Sequence, residues 1–325
     1  VLCGSYISSI LRISQFEGAI YNFSSFAKGK VMSNSKLFPY LEAIFAVIVW
    51  GASFIATKIV LRDITPVAVV WLRFAMGVVI LGIAVVMRKQ FSLLLRNEWL
   101  YFALLGFLGI TFHQWLQSNA LETSEASTTA WIVSTTPVFM ALLGWVVLRE
   151  KLVWIKITGI LLAFVGVLLV VYDGNLGAIS LRNFGKPGDI LILISAVNWA
   201  VFSVLSRRGL KAHSATLMMF YVMSFGWVFT SILFFSTTNI SEMGRLTTNG
   251  WLGILFLGIF CSGLAYIAWY DALKALTTAG TGVFLYIEPL VAVVVAFFIL
   301  GEAITAASLL GGGIIILGVW LVNRN

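Results

Sequence analysis

Apolar residues recur along this chain in windows of about 20 residues that are apolar on nearly all sides and are separated by short polar intervals. A run of that length, rising 1.5 Å per residue as a helix, spans a bilayer core of roughly 30 Å. Ten such windows, at approximately 39–61, 67–87, 99–120, 124–147, 153–172, 188–207, 214–236, 249–271, 278–300 and 304–322, predict ten transmembrane helices. Transmembrane strands would alternate apolar and polar positions over about ten residues, which these windows do not do. The fold class is all-α integral membrane.

Composition supports that pattern. The chain is 60% hydrophobic with a mean hydropathy of +1.01, and 10% of it is charged, against roughly 25% in a soluble domain. Its net charge of +8 would suggest nucleic acid if the basic residues were clustered on one surface. With a cytoplasmic N-terminus, however, fifteen of the 21 Lys and Arg fall on the cytoplasmic side, four (Arg62, Arg182, Lys186, Arg245) on the other, and Lys58 and Arg73 within helices. This positive-inside asymmetry predicts a multi-pass protein of the cytoplasmic membrane with both termini inside, and the charge records topology, not nucleic-acid binding. Cys3 and Cys261 are too far apart in kind of environment, tail and helix, to form a disulfide framework.

Residues 1–35 do not fit the pattern. Arg12, Glu17, Lys28 and Lys30 interrupt their apolar positions, and no signal-peptide design is present. A biological start at Met32, with residues 1–31 an upstream extension, is one expectation; an amphipathic segment lying on the membrane is the other.

Shifting the chain against itself by 152 residues aligns Trp99-Leu100 with Trp251-Leu252, Gly106 with Gly258, Pro137 with Pro289, Glu150 with Glu302, Gly159 with Gly311 and Gly166-Val167 with Gly318-Val319. A shift of 149 brings Trp50 onto Trp199. The chain therefore divides into a first repeat at 36–173 and a second at 188–325, five helices each. Because five is odd, the second half enters the membrane inverted, the usual construction of secondary transporters with a midplane site between the halves. The elements "WGASFIATK", "LRF", the paired Pro-to-Glu spacing and the paired "G(x)6GV" resemble the EamA repeats of the drug/metabolite transporter superfamily over residues 39 to 322. The resemblance implies a ten-helix exporter of small metabolites such as amino acids, amines or amphipathic compounds, with a central cavity.

Ionisable groups at bilayer depth cost about 2.5–3.5 kcal/mol on insertion scales, so they face a cavity or a partner. Glu288 is the leading candidate. On the predicted helix it lies about ten residues in, sharing a face with Thr281, Phe284, Leu285 and Ala292, where it would bind a cationic group, carry a proton, or pair structurally with Lys58 or Arg73. Pro289 beside it and its repeat counterpart Pro137 mark hinges or cavity walls, with inherited packing as the other reading. His113 and Gln117 lie one turn apart with Gln114 beside them, and His113 is a second proton-coupling candidate. Aromatic candidates for binding the solute are Trp50, Phe54, Trp131, Trp199, Tyr266 and Tyr270. Glu150 and Glu302 read as helix-end or loop-fixing groups, and Lys58 and Arg73 as structural, with contact to an anionic substrate as the other reading. The glycines near 159–166 and 311–318 predict tight packing seams or a homodimer contact.

No cluster of metal-ligating residues and no phosphate loop is present in the sequence, so the expectation is a non-enzyme without cofactor or metal, with a small-molecule substrate and the lipid bilayer as partners. Alternating access is the expected mechanism; a non-transporting scaffold or a channel-like facilitator is the alternative.

Overall fold

The computed structural model describes residues 34–148, 153–175, 185–276 and 283–323. The N-terminal extension, Glu150, Thr281 and most of the loop at 173–187 lie outside these residues. The protein is an all-α membrane protein. Its helices are α1 (Asn34–Val60), α2 (Pro66–Met87), α3 (Trp99–Thr123), α4 (Ala126–Val133 continued by Thr136–Leu148), α5 (Trp154–Val171), α6 (Pro187–Ala212), α7 (Ala215–Thr237), α8 (Thr248–Leu273), α9 (a 3₁₀ turn Val283–Tyr286 followed by Ile287–Leu300) and α10 (Ala306–Asn323). Among the described residues nine of them are long and apolar enough to cross a membrane, and Phe284–Leu300 is a shorter apolar helix.

Local chemistry sets the boundaries. Pro66 and Pro187 open α2 and α6, where a missing N–H leaves no bond unmade. Ser214 and Thr247 accept from Leu217 N and Gly250 N to cap α7 and α8. Gly301 ends α9 with φ 70, a left-handed conformation that glycine adopts without strain.

Close helix contacts pass through glycine. On α5 and α10 a Cβ built at Gly159 would stand 2.5 Å from Gly318 O, and one at Gly166 would stand 2.6 Å from Gly311 O. The glycine seams expected from sequence thus face each other within the chain. Similarly, Gly106 of α3 meets Gly226 of α7, while Gly258 of α8 meets Met76 of α2. Trp99, Trp154, Trp251 and Trp320 are exposed near helix ends, the setting of interfacial anchors.

Two helices depart from α geometry in matching places. Phe107–Phe112 of α3 and Phe256–Leu264 of α8 are π-helical, and a shift of 152 residues overlays the first on the end of the second. His113 and Ala265 follow them directly. Helix α4 breaks before Pro137. There Thr136 Oγ1 donates to Val133 O at 2.7 Å, occupying the carbonyl that the proline cannot reach, and Ser134 and Thr135 hydroxyls donate to Trp131 O and Ile132 O.

Candidate functional site

The sequence places one indole on α1 and another on α6, and the fold turns both toward the centre. Trp50 Nε1 donates to Cys261 O at 3.1 Å, a carbonyl in the π segment of α8. Its ring packs at 5.3 Å from Tyr266 and 5.4 Å from Trp269. Trp199 lies 4.6 Å from the His113 ring and 4.8 Å from Phe202, and Tyr266 and Tyr270 sit 6.4 Å apart. Trp50, Trp199, Tyr266 and Tyr270 all belong to or pack against one buried cluster. Phe54 packs instead against α4 and α9. Trp131 is fully buried beneath Gly312, with its Nε1 donating to Ser308 Oγ at 3.2 Å, so its ring fills the α4–α10 interface.

His113 is buried, with Nδ1 2.8 Å from Ser195 Oγ on α6. Gln114, treated in the sequence only as its neighbour, accepts from Arg73. Gln117 is half-buried and makes no hydrogen bond among the described residues. The α-helix resumes at His113 and keeps the expected spacing, and the three residues still meet different surroundings: Ser195 for His113, Arg73 for Gln114, and no hydrogen-bond partner among the described residues for Gln117.

Glu288 differs from expectation in position. The helical span does not run unbroken from residue 278 among the described residues: a 3₁₀ turn ends at Tyr286, and Glu288 occupies the first turn of the α-helical segment. Pro289 then sits where an N–H has no partner inside that segment, so it opens a helix instead of kinking one. Helix α1 presses on this turn, since a Cβ at Gly51 would lie 2.6 Å from Glu288 O. The pairing of Glu288 with Lys58 or Arg73 does not form. Its half-buried carboxylate makes no hydrogen bond or ion pair among the described residues, and Tyr266 is close enough to feel its charge.

Lys58 belongs to an end cluster. Its Nζ lies 3.0 Å from Glu302 Oε1 and donates to Ser124 O at 2.9 Å. Glu302 also accepts from Ala126 N, Ser127 N and Ser127 Oγ at 2.8, 3.1 and 2.7 Å, capping α4 from the α9–α10 turn. Ser124 Oγ donates to Asp189 at 2.6 Å, extending the cluster to α6. At the opposite end, Arg88 grips Asp271 with two bonds of 2.7 and 2.6 Å, and His213 Nε2 lies 2.8 Å from Glu98.

Burial pushes the Glu302 carboxyl up, but the N–H donors, the Ser127 hydroxyl and Lys58 together hold it below the usual carboxylate value. A depressed pKa means stability that is present above the ordinary carboxylate pKa and lost as pH falls through the folded one. Glu302→Ala is expected to lower stability by about 3 kcal/mol, the scale of a broken, largely buried ion pair, measured by unfolding in detergent micelles. Glu302→Gln is expected to flatten the acid limb of the stability–pH curve.

A bundle of apolar helices with buried ionisable groups and polar clusters at both ends is that of a multi-pass membrane protein. The chain belongs to the EamA-like transporter family, whose model matches it twice, over residues 37–172 and 186–324. It is 29% identical over 290 residues to an uncharacterized transporter of Archaeoglobus fulgidus, covering 89% of this chain and 98% of that one. The uncharacterized transporter YyaM of Bacillus subtilis is 26% identical over 270 residues, covering 83% and 88% respectively. A probable terminal-alkyne amino-acid exporter of Streptantibioticus cattleyicolor is 28% identical over 222 residues, 68% of this chain and 72% of that protein. A solved crystal structure shares the fold with a TM-score of 0.61 at 18% identity, covering 89% of this chain and 96% of that one.

Proposed function

We propose that this protein is a secondary carrier that exports small organic metabolites, such as amino acids, amines or amphipathic compounds, across the cytoplasmic membrane by alternating access. The observation that carries this reading is Glu288: an ionisable side chain within electrostatic reach of Tyr266, with no hydrogen-bond or ion-pair partner among the described residues. A carboxylate at membrane depth without a structural counter-ion is a functional group by default. His113 on the facing half is the second proton-coupling candidate, and Trp50, Trp199, Tyr266 and Tyr270 supply the aromatic wall. The amino-acid exporter among the relatives supports the substrate class.

We read the ten helices as two inverted five-helix repeats. Supporting this is a reciprocity of contacts. Gly159 and Gly166 correspond to Gly311 and Gly318 by the 152-residue shift, and the contacts formed are Gly159–Gly318 and Gly166–Gly311. Exchange of the two halves maps one contact onto the other, as a two-fold axis requires. Gly77 against Ser262 and Gly226 against Ile110 form a second such pair. The polar clusters at either end, Lys58–Glu302 and Arg88–Asp271, each join the first repeat to the second, so rocking of the halves would open one while the other holds.

Flux of amino acids, amines and drugs into proteoliposomes tests the carrier reading, and an absence of flux for the whole panel moves the assignment to a scaffold. Cysteine labelling is expected to place residues 88–98 in the cytoplasm and 173–187 outside; the reverse pattern overturns the orientation.

A further inference from the structure

We infer that Arg73 holds a carboxylate of the transported substrate, so that the site selects small solutes bearing that group over their decarboxylated counterparts. This rests on the carrier reading above and adds the anionic end of the solute to it. Arg73 is 5% exposed, seven residues from the start of α2, or about 10 Å along the helix. Its Nε donates to Ser262 Oγ at 3.0 Å and one terminal nitrogen donates to Gln114 Oε1 at 3.1 Å. Both acceptors are neutral. Lys58, Arg88 and Lys186 each pair with a carboxylate, whereas Arg73, far more buried, pairs with none among the described residues.

The two hydrogen bonds orient the guanidinium without neutralising it. A guanidinium carries five N–H donors in a planar fork, and the second terminal nitrogen of Arg73 has no protein acceptor among the described residues. Both hydrogens of that nitrogen and the second hydrogen on its Gln114-bound neighbour are left for a ligand, and a guanidinium grips a carboxylate through such N–H donors in parallel. One positive charge also matches a carboxylate better than a phosphate dianion. Ser262 lies within the π segment of α8 and Gln114 just beyond that of α3, so both orienting side chains are presented by helix distortions of the kind that gather at functional sites. Gly77, one turn beyond Arg73, lets α8 approach; a Cβ there would stand 2.9 Å from Ser262 Cβ.

Repeat asymmetry points the same way. The shift that superimposes Gly77 on Gly226 places Arg73 on Val222, and the 152-residue shift places Ser262 on Ile110 and Glu288 on Thr136. Val222 and Ile110 are fully buried hydrophobics. The second copy of this interface packs apolar side chains where the first places Arg73 and Ser262. Tyr266 lies within electrostatic reach of both Arg73 and Glu288.

The test is a tryptophan-fluorescence titration of the full chain in detergent micelles with three probes sharing one alkyl chain: leucine, 4-methylpentanoate and 3-methylbutylamine. A parallel series uses phenylalanine, 3-phenylpropanoate and 2-phenylethylamine. The expected result is that Arg73→Gln weakens both carboxylate-bearing probes by at least about tenfold, the scale of one lost charge-assisted hydrogen bond, and the amine by no more than about twofold. Arg73→Lys, which keeps the charge but not the fork, is expected to show a smaller loss confined to the carboxylates, and it carries the test if Arg73→Gln does not fold. Equal losses for all three probes, or no carboxylate preference in the native protein in either series, overturns the inference. Binding through Arg73 without flux in proteoliposomes would leave this inference standing and remove the carrier reading; amine flux without carboxylate preference would do the opposite.

Discussion

Glu288→Gln is expected to cut proteoliposome flux of amine-bearing probes by at least about tenfold while leaving the thermal unfolding of the protein in detergent nearly unchanged. The two halves of that result have separate causes. A carboxylate with no hydrogen bond or ion pair among the described residues contributes little to folding; its first-turn position on α9 is worth about 0.3–1 kcal/mol through the helix dipole, and desolvation opposes even that. Loss of transport with intact stability is what separates a solute-binding or proton-carrying group from a packing group, whose removal lowers both. If Glu288 carries a proton, the variant also loses the dependence of flux on pH, because Gln cannot titrate. Flux identical to the native protein across pH and for neutral and cationic probes alike would remove Glu288 from the mechanism.

The sequence displayed the fold more fully than the site, for a physical reason. Bilayer thickness fixes the length of an apolar run, so windows such as 67–87 and 214–236 reappear as α2 and α7 with ends moved by a residue or so. The glycines of the α5–α10 seam were legible because a close approach of backbones admits one residue type. The site depends on departures from helical regularity, which hydropathy does not register. Periodicity carries Glu288 ten residues into a helix, but the 3₁₀ turn at Val283–Tyr286 puts it near the start of one. It also groups His113, Gln114 and Gln117, and the helix from His113 to Thr123 keeps that spacing, but the partners, Ser195 for the first and Arg73 for the second, are supplied by α6 and α2, which periodicity within α3 does not register. Arg73 itself was visible as a charge in the middle of "WLRF". That it has no counter-ion among the described residues was not, since that depends on α3 and α8 offering a Gln and a Ser in place of an acid.

Gly166→Val is expected to abolish the folded, monodisperse protein, and Gly166→Ala to destabilise it by about 2 kcal/mol, whereas Gly313→Ala on the same helix pair is expected to be neutral or stabilising. A Cβ at Gly166 would stand 2.6 Å from Gly311 O and 2.7 Å from Ile315 Cγ1. The first neighbour is backbone, so relief requires α5 and α10 to separate and surrender contacts along the whole seam, including the Gly159–Gly318 approach. Gly313 has nothing within 4 Å of a built Cβ, so alanine there meets no neighbour and gains roughly 0.5–1 kcal/mol of helix propensity. A double-mutant cycle sharpens the comparison. Once Gly166→Ala has separated the helices, Gly311→Ala opposite it is expected to cost less than it does alone, a coupling that pairs Gly166 with Gly311 and not with Gly313. Unfolding midpoints in detergent read all of these variants. Equal tolerance of alanine at Gly166 and Gly313 would show that the two helices do not meet along this face, and with that contact gone the reciprocal pairing that supports the two-fold relation of the halves would lose its strongest element.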